Sequence, residues 1–156
     1  MPERTLTSAG ILLYRQRAGS LEVFLVHPGG PYWASKDEGV WGIPKGEIET
    51  TEDPLLAAQR EFREETGSVV TGPFTALAPI RQRSGKWVHA WAASGELDPA
   101  SLKSNLFSMQ WPPGTGRMQS FPEVDRGAWF KLEQARVKIS ASQVPLLEEL
   151  ARLLAS

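Results

Sequence analysis

Residues 46–67 read GEIETTEDPLLAAQREFREETG, a glycine turn followed by a stretch loaded with carboxylates. Two adjacent acidic pairs, Glu52-Asp53 and Glu64-Glu65, lie on either side of Arg60-Glu61. Like charges one turn apart destabilise a helix, so this crowding calls for a compensating cation. Hard oxygen ligands on a mostly solvated site suit Mg²⁺, with Mn²⁺ as a substitute.

The helix is marked out by its own signals. Asp53 stands where an N-cap belongs, Pro54 follows at the first helical position, and Gly67 supplies a left-handed stop. At about 100° per residue, Leu55, Ala58, Phe62 and Thr66 share one face, which packs. Glu61, Glu64 and Glu65 share another, about 120° round, with Ala57 leaving free space beside them. Glu61 and Glu65 are one turn apart and can reach the same ion. The ordinary reading of such a stripe is a solvated acidic face. Two features weigh against it: Arg60 is the lone cation at its edge, and the rigid Trp41-Gly-Ile-Pro-Lys-Gly46 turn ahead of it delivers the Gly46 carbonyl and the Lys45 amine to the same place.

The surrounding chain sets bounds. At 156 residues it fits one domain, 1–156, long enough to bury a core. A net charge of −1 does not predict a stable nucleic-acid partner or an anionic membrane surface. There is no cysteine, hence no disulfide framework or thiolate chemistry. The apolar run Ile11–Tyr14, flanked by charge, is too short for a membrane span or a signal sequence, so a soluble cytoplasmic protein is expected. Strands are expected over Ser8–Arg15 and Leu21–His27, over Phe74–Arg83 and Lys86–Ala93 across Ser84-Gly85, over Leu106–Trp111, and briefly over Ala128–Phe130. Pro28-Gly29-Gly30-Pro31 opens a long loop through Val40, and Leu146–Leu154 reads as an amphipathic helix. Two main helices against a mixed β-sheet make the class α/β.

The spacing Gly46, five residues, Glu52, seven residues, Arg60-Glu61-Phe62-Arg63-Glu64-Glu65-Thr66-Gly67 resembles the signature of the Nudix hydrolases. Every charged and glycine position of that pattern is filled. Ser68 departs from it, where an aliphatic residue is usual, and so does Thr51, where many members carry glycine. The resemblance implies a three-layer α/β/α sandwich and metal-dependent cleavage of a phosphoanhydride in a nucleoside diphosphate derivative, so the expected partner is a small-molecule nucleotide substrate. Within it, Mg²⁺ would be held by Glu61 and Glu65, helped by Glu64 and the Gly46 carbonyl. Arg60 would orient a box glutamate by a bidentate bond. The general base would be Glu64 or an external residue, for which Glu123 in Phe121-Pro-Glu-Val-Asp-Arg126 is the candidate; the plain alternative for Glu123 is a salt bridge to Arg126 or Arg81.

The substrate hints lie outside the acidic helix. Pro44-Lys45-Gly46 is similar to the variant found in diadenosine polyphosphate hydrolases, where a lysine suits a long polyphosphate. Tyr32 and Trp33, in the loop before the box, are candidates to stack on a base. Lys86, with Arg81 or Arg83, is a candidate lining for a phosphate channel, and Pro112–Ser120, with Arg117, for a flap. Trp41, Trp87, Trp91 and Trp129 read as packing residues, and the isolated His27 and His89 as packed or hydrogen-bonded. Three readings stand: a hydrolase of dinucleoside polyphosphates, a MutT-type nucleoside triphosphate hydrolase, and a non-catalytic nucleotide-sensing module. The intact set of Glu61, Glu64 and Glu65 argues against the last.

Overall fold

A near-continuous apolar run makes β1 (Thr7–Arg17) the strand buried on both faces. A computed structural model describes residues 7–155; the charged residues ahead of that run, Glu3 and Arg4, lie outside them. β1 turns through Ala18-Gly19 into β2 (Ser20–Pro28), with both turn residues at positive φ, 51° and 78°, as a tight type I′ hairpin requires. β1 also pairs in parallel with β6 (Trp87–Ser94), and β2 pairs antiparallel with β9 (Val124–Lys131). Three short strands complete a seven-stranded mixed sheet. β3 (Lys45–Glu47) lies against Ser8–Gly10, while β4 (Thr75–Ala76) and β5 (Ile80–Arg81) share the outer edge of β6. A separate hairpin joins β7 (Leu106–Gln110) to β8 (Met118–Pro122).

Alternation along the central strands creates two cores. Ala9, Ile11, Leu13, Phe24 and Val26 pack against Ala57, Ala58 and Phe62 of α1 (Pro54–Thr66). Leu12, Val23 and Leu25 face the other way, toward Ala135 of α2 (Leu132–Lys138), Ile139 just beyond it, and Leu146, Leu147 and Leu150 of α3 (Val144–Ala155). The result is an α/β/α arrangement around a mixed sheet, as expected. No helix among the described residues is long and apolar enough to cross a membrane.

Several details depart from the sequence expectations. A third helix, α2, appears; it is only seven residues long and has no side-chain cap to announce it. The Phe74–Arg83 run splits into β4 and β5 around Pro79, which cannot donate to a ladder. β9 extends well beyond Ala128–Phe130. Trp91 and Trp129 are partly buried, but Trp87 is 38% exposed, with the Arg81 guanidinium 5.8 Å from its ring centroid. Ala57 leaves no free space: it is fully buried in the α1 core.

The ends of α1 follow its sequence signals. The Asp53 carboxylate accepts the Leu55 and Leu56 N–H groups at 3.1 and 3.2 Å, and Gly67 sits at φ 78° with its N–H donating to Arg63 at 2.8 Å. A Cβ at Gly67 would also stand 3.1 Å from the Lys103 Cβ. Gly67→Ala should therefore cost about 1–2 kcal/mol, read as a lower urea midpoint with an unchanged m-value.

Candidate active site

Packing brings the glycine turn and the acidic helix together. β3 carries Gly46 beneath α1, and the Glu61 carboxyl group rests against its Cα so closely that a Cβ there would overlap it. Any larger residue at this position would force the Glu61 carboxyl group to move. One turn on, Glu65 is buried at 9% exposure, on the packed side of α1 with Phe62 and Thr66 rather than on a solvated stripe. It accepts the Lys45 backbone N–H. Lys45 is partly buried itself, and burial pulls its amine below the usual lysine range while Glu65 opposes the change.

Arg60 fastens the outer part of the cluster. Its Nε and Nη2 donate to the two Glu52 oxygens at 2.7 and 2.9 Å, a fork-on-fork pair. Nη1 donates to Glu61 at 2.9 Å and to both Glu64 oxygens at 3.2 Å, and Nη2 also reaches the Glu47 carbonyl at 3.1 Å. The expected bidentate partner is thus Glu52, a residue the sequence assigned no role beyond its place in the spacing. The hydrogen bonds to Glu52, above all, raise the Arg60 pKa.

Electrostatics show what this arrangement lacks. Burial, and then Glu61, push the Glu65 carboxyl up to about 9. Glu61 is raised by burial and by Glu64. Glu123 is raised the same way, by partial burial and then by Glu64. Three carboxyl groups whose ionisation is made harder by burial and by one another mark a place where added positive charge is favourable. Among the described residues no three acidic or histidine side chains are already gathered as a metal cage; Arg60 draws Glu61 and Glu64 to itself instead. The donors are all oxygens and the Gly46 cradle is shaped by Glu61, which fits a hard divalent cation.

Glu123 reaches this cluster through backbone bonds. Asn105 N–H donates to the Glu64 carbonyl at 2.8 Å, Glu123 N–H to the Asn105 carbonyl at 2.9 Å, and Gly29 N–H to the Glu123 carbonyl at 2.9 Å. The Glu123 carboxylate has no ion pair among the described residues. Arg126 lies over the Trp41 ring at 5.3 Å instead. A cleft of about 370 Å³ joins Glu65, Glu123 and Lys45 to Trp33, Trp41 and Gln143.

A model of the NUDIX domain matches residues 4–150. The chain belongs to the Nudix family. It is a Nudix hydrolase, similar in structure to the Caenorhabditis elegans Ap4A hydrolase binary complex, with 26% identity and a TM-score of 0.66 over 95% of this chain and 98% of that one. The NUDIX domain of Shewanella oneidensis NrtR, complexed with ADP ribose, shares the fold at 18% identity and TM-score 0.67, over 99% of this chain and 90% of that one. MutT from Aliivibrio salmonicida and Vibrio cholerae shares it at 16% identity and TM-score 0.54, over 92% and 93%.

The remaining candidates of this Nudix chain fall in different places. Trp33 lines the cleft, 41% exposed, with Lys36 5.5 Å from its ring. Tyr32 packs edge-on against Trp111 at 5.2 Å. Lys86 is held by Glu47 at 3.0 Å, and Arg81 donates to the Gly85 carbonyl at 3.2 Å, so neither is a free phosphate ligand in this conformation. Arg117 is exposed at the base of the loop joining β7 to β8, where its carbonyl accepts the Trp111 N–H at 2.9 Å. His27 is fully buried, its ring nitrogens 2.8 Å from Asp125 and 2.7 Å from the Lys36 carbonyl, so it ties the loop before the box to β9. His89 is half-buried on β6 beside Ala9. That loop is fastened again where Trp41 Nε1 donates to Asp37 at 2.8 Å and Lys138 pairs with the same carboxylate. It also meets the hairpin: a Cβ at Gly29 would strike the Pro122 carbonyl, and one at Gly30 would stand 3.0 Å from Phe107. Asn105, Ser140 and Gln143 reach the site with no motif to announce them.

Proposed function

We propose that this Nudix hydrolase cleaves a phosphoanhydride bond in a dinucleoside polyphosphate such as diadenosine tetraphosphate, with Mg²⁺ held by Glu61, Glu64, Glu65 and the Gly46 carbonyl. The observation that carries the substrate reading is Lys45: it stands in a Pro-Lys-Gly sequence at the start of β3, lines the cleft and lies beside Glu65. The likeness to an Ap4A hydrolase supports it. When bound, the ion supplies neutralisation of phosphoryl charge and a more acidic bound water.

The side chains supply the rest. Lys45 serves as a point charge for the phosphates beyond the scissile bond, at the end of a stem already ordered by burial. Arg60 keeps Glu61 and Glu64 in fixed directions while Glu52 holds Arg60. Proton acceptance from the attacking water falls to Glu64 or Glu123, which the Asn105 bridge keeps adjacent. Trp33 offers a face to a base, and Tyr32 and Lys86 become ligands only by leaving Trp111 and Glu47.

A panel of nucleoside diphosphate derivatives with Mg²⁺, run in ¹⁸O-labelled water, identifies the substrate and the phosphorus attacked. Faster turnover of nucleoside triphosphates than of diadenosine tetraphosphate would replace this reading with a MutT-type one. Lys45→Met keeps the buried stem and removes the charge. It should lower kcat/KM for diadenosine tetraphosphate about tenfold or more, the worth of one hydrogen bond to a charged group, and spare a nucleoside triphosphate. Equal losses on both would remove Lys45 from the substrate argument.

A further inference from the structure

Gln143 stands in the turn just ahead of α3, only 3% exposed, and lines the same cleft as Glu65 and Glu123. Its side-chain oxygen accepts the Ile43 N–H at 2.9 Å. Only the oxygen of an amide can accept from an N–H, so this bond fixes which way round the side chain lies. Nε2 is left with both hydrogens and no partner among the described residues. No enclosed side-chain nitrogen or oxygen among them lacks a partner, so Nε2 is reached by solvent, and the open space it borders is the cleft. Gly42 makes the room, since a Cβ there would stand 2.9 Å from Nε2.

Ser140 lines the cleft beside it. Its N–H donates to the Trp41 carbonyl at 2.8 Å and its carbonyl accepts the Gln143 N–H at 2.9 Å. Its hydroxyl has no partner among the described residues. Beside Gly42 and Ile43 the cleft therefore presents a donor that cannot turn and a hydroxyl that can either donate or accept.

We propose that Gln143 and Ser140 read the nucleobase: Nε2–H of Gln143 donates to a purine ring nitrogen and the Ser140 hydroxyl accepts from the exocyclic amine next to it, the edge that adenine presents. A free glutamine grips adenine with both its oxygen and its nitrogen. Here the oxygen is committed to Ile43, so Ser140 supplies the second contact. Trp33 contributes a stacking face in the same cleft. Because the amide is already immobilised, binding loses little side-chain freedom, and a base without an acceptor at that edge leaves a desolvated N–H unpaired. This assignment rests on the cleft being a nucleotide site.

Gln143→Glu keeps the acceptor for Ile43 and replaces the free donor with an acceptor. The full chain, with Mg²⁺, is titrated by calorimetry with α,β-methylene ADP and with methylenediphosphonate, two probes whose P–C–P bridge cannot be hydrolysed and of which only the first has a base. The ratio of their dissociation constants cancels the general repulsion of an added charge. That ratio should rise about tenfold or more in Gln143→Glu. In Ser140→Ala, which adds no charge and decides the matter if Gln143→Glu fails to fold, it should rise about threefold. A ratio unchanged from wild type overturns the base reading while the nucleotide cleft stands. A wild-type protein that binds methylenediphosphonate but no nucleotide overturns both.

Discussion

Glu65→Gln is expected to lower turnover roughly a thousandfold while the fold stays intact, and Glu64→Gln to do the same. Each variant removes one charged oxygen donor from a cluster whose proposed task is to hold a divalent ion against phosphoryl oxygens. Losing about 4 kcal/mol of charge stabilisation in the transition state gives that factor. Steady-state rates on diadenosine tetraphosphate at saturating Mg²⁺, with near-ultraviolet circular dichroism to verify the fold, measure it. The two variants should differ in how they fail. Glu65 is buried next to Lys45 and the Gly46 turn, so raising the Mg²⁺ concentration should restore little. Glu64 is more exposed and held by Arg60, and its loss should appear in kcat with a smaller change in the metal requirement. Near-normal turnover in both would remove the proposed metal cluster.

Glu65→Gln should also make the metal-free protein more stable near neutral pH. The Glu65 carboxyl titrates near 9 in the folded chain against 4.5 in its ordinary state. Folding therefore favours the protonated form. The stability this group contributes is complete below about pH 4.5 and is lost progressively as the pH rises through about 9, which amounts to about 3 kcal/mol by pH 7. Burial and neighbouring carboxylates raise Glu61 and Glu123 as well, with the same sign. Glutamine mimics the protonated acid and has nothing to titrate. Urea melts of chelator-treated protein at pH 5, 7 and 9 should thus fall more steeply for wild type than for Glu65→Gln. Mg²⁺ should restore the wild type most at the highest pH. Parallel profiles for the two proteins would mean that Glu65 is not the strained group. Opposite signs for activity and stability in one substitution are the mark of a site kept for chemistry.

The acidic helix was the most legible part of the chain because its signals are local. Asp53, Pro54 and Gly67 act within a turn of themselves, and each holds the boundary it announced. β1 and β2 were legible for a similar reason: long apolar runs joined by a two-residue turn have few alternatives. Legibility failed where the deciding contact is remote. Helical periodicity put Glu65 on a polar stripe, but β3 lies beneath α1 and buries it, and a wheel drawn on one segment contains no neighbouring strand. The length of β9 was missed because its partner, β2, lies far away in sequence, and β8 was missed because its exposed stretch, MQSFP, carries no apolar run to mark a strand. The same holds at the site. The sequence pointed to a bidentate bond from Arg60 to a box glutamate, but its choice of Glu52 depends on how the loop after β3 folds back. Gln143 is tied to the distant backbone of Ile43, and Asn105 to the backbones of Glu64 and Glu123, and nothing in their own neighbourhood marks them.

The loop before the box and the β7–β8 hairpin grip each other through Tyr32 and Trp111, and through Gly30 against Phe107. Neither half is therefore a separable module. Transplanting a loop without Tyr32 would leave Trp111 facing nothing, and one without Gly29 would drive a side chain into the Pro122 carbonyl. A designer wishing to retune this enzyme should graft both pieces as one cassette, and chimaeras crossing over between them are expected to be poor expressers before they are poor catalysts.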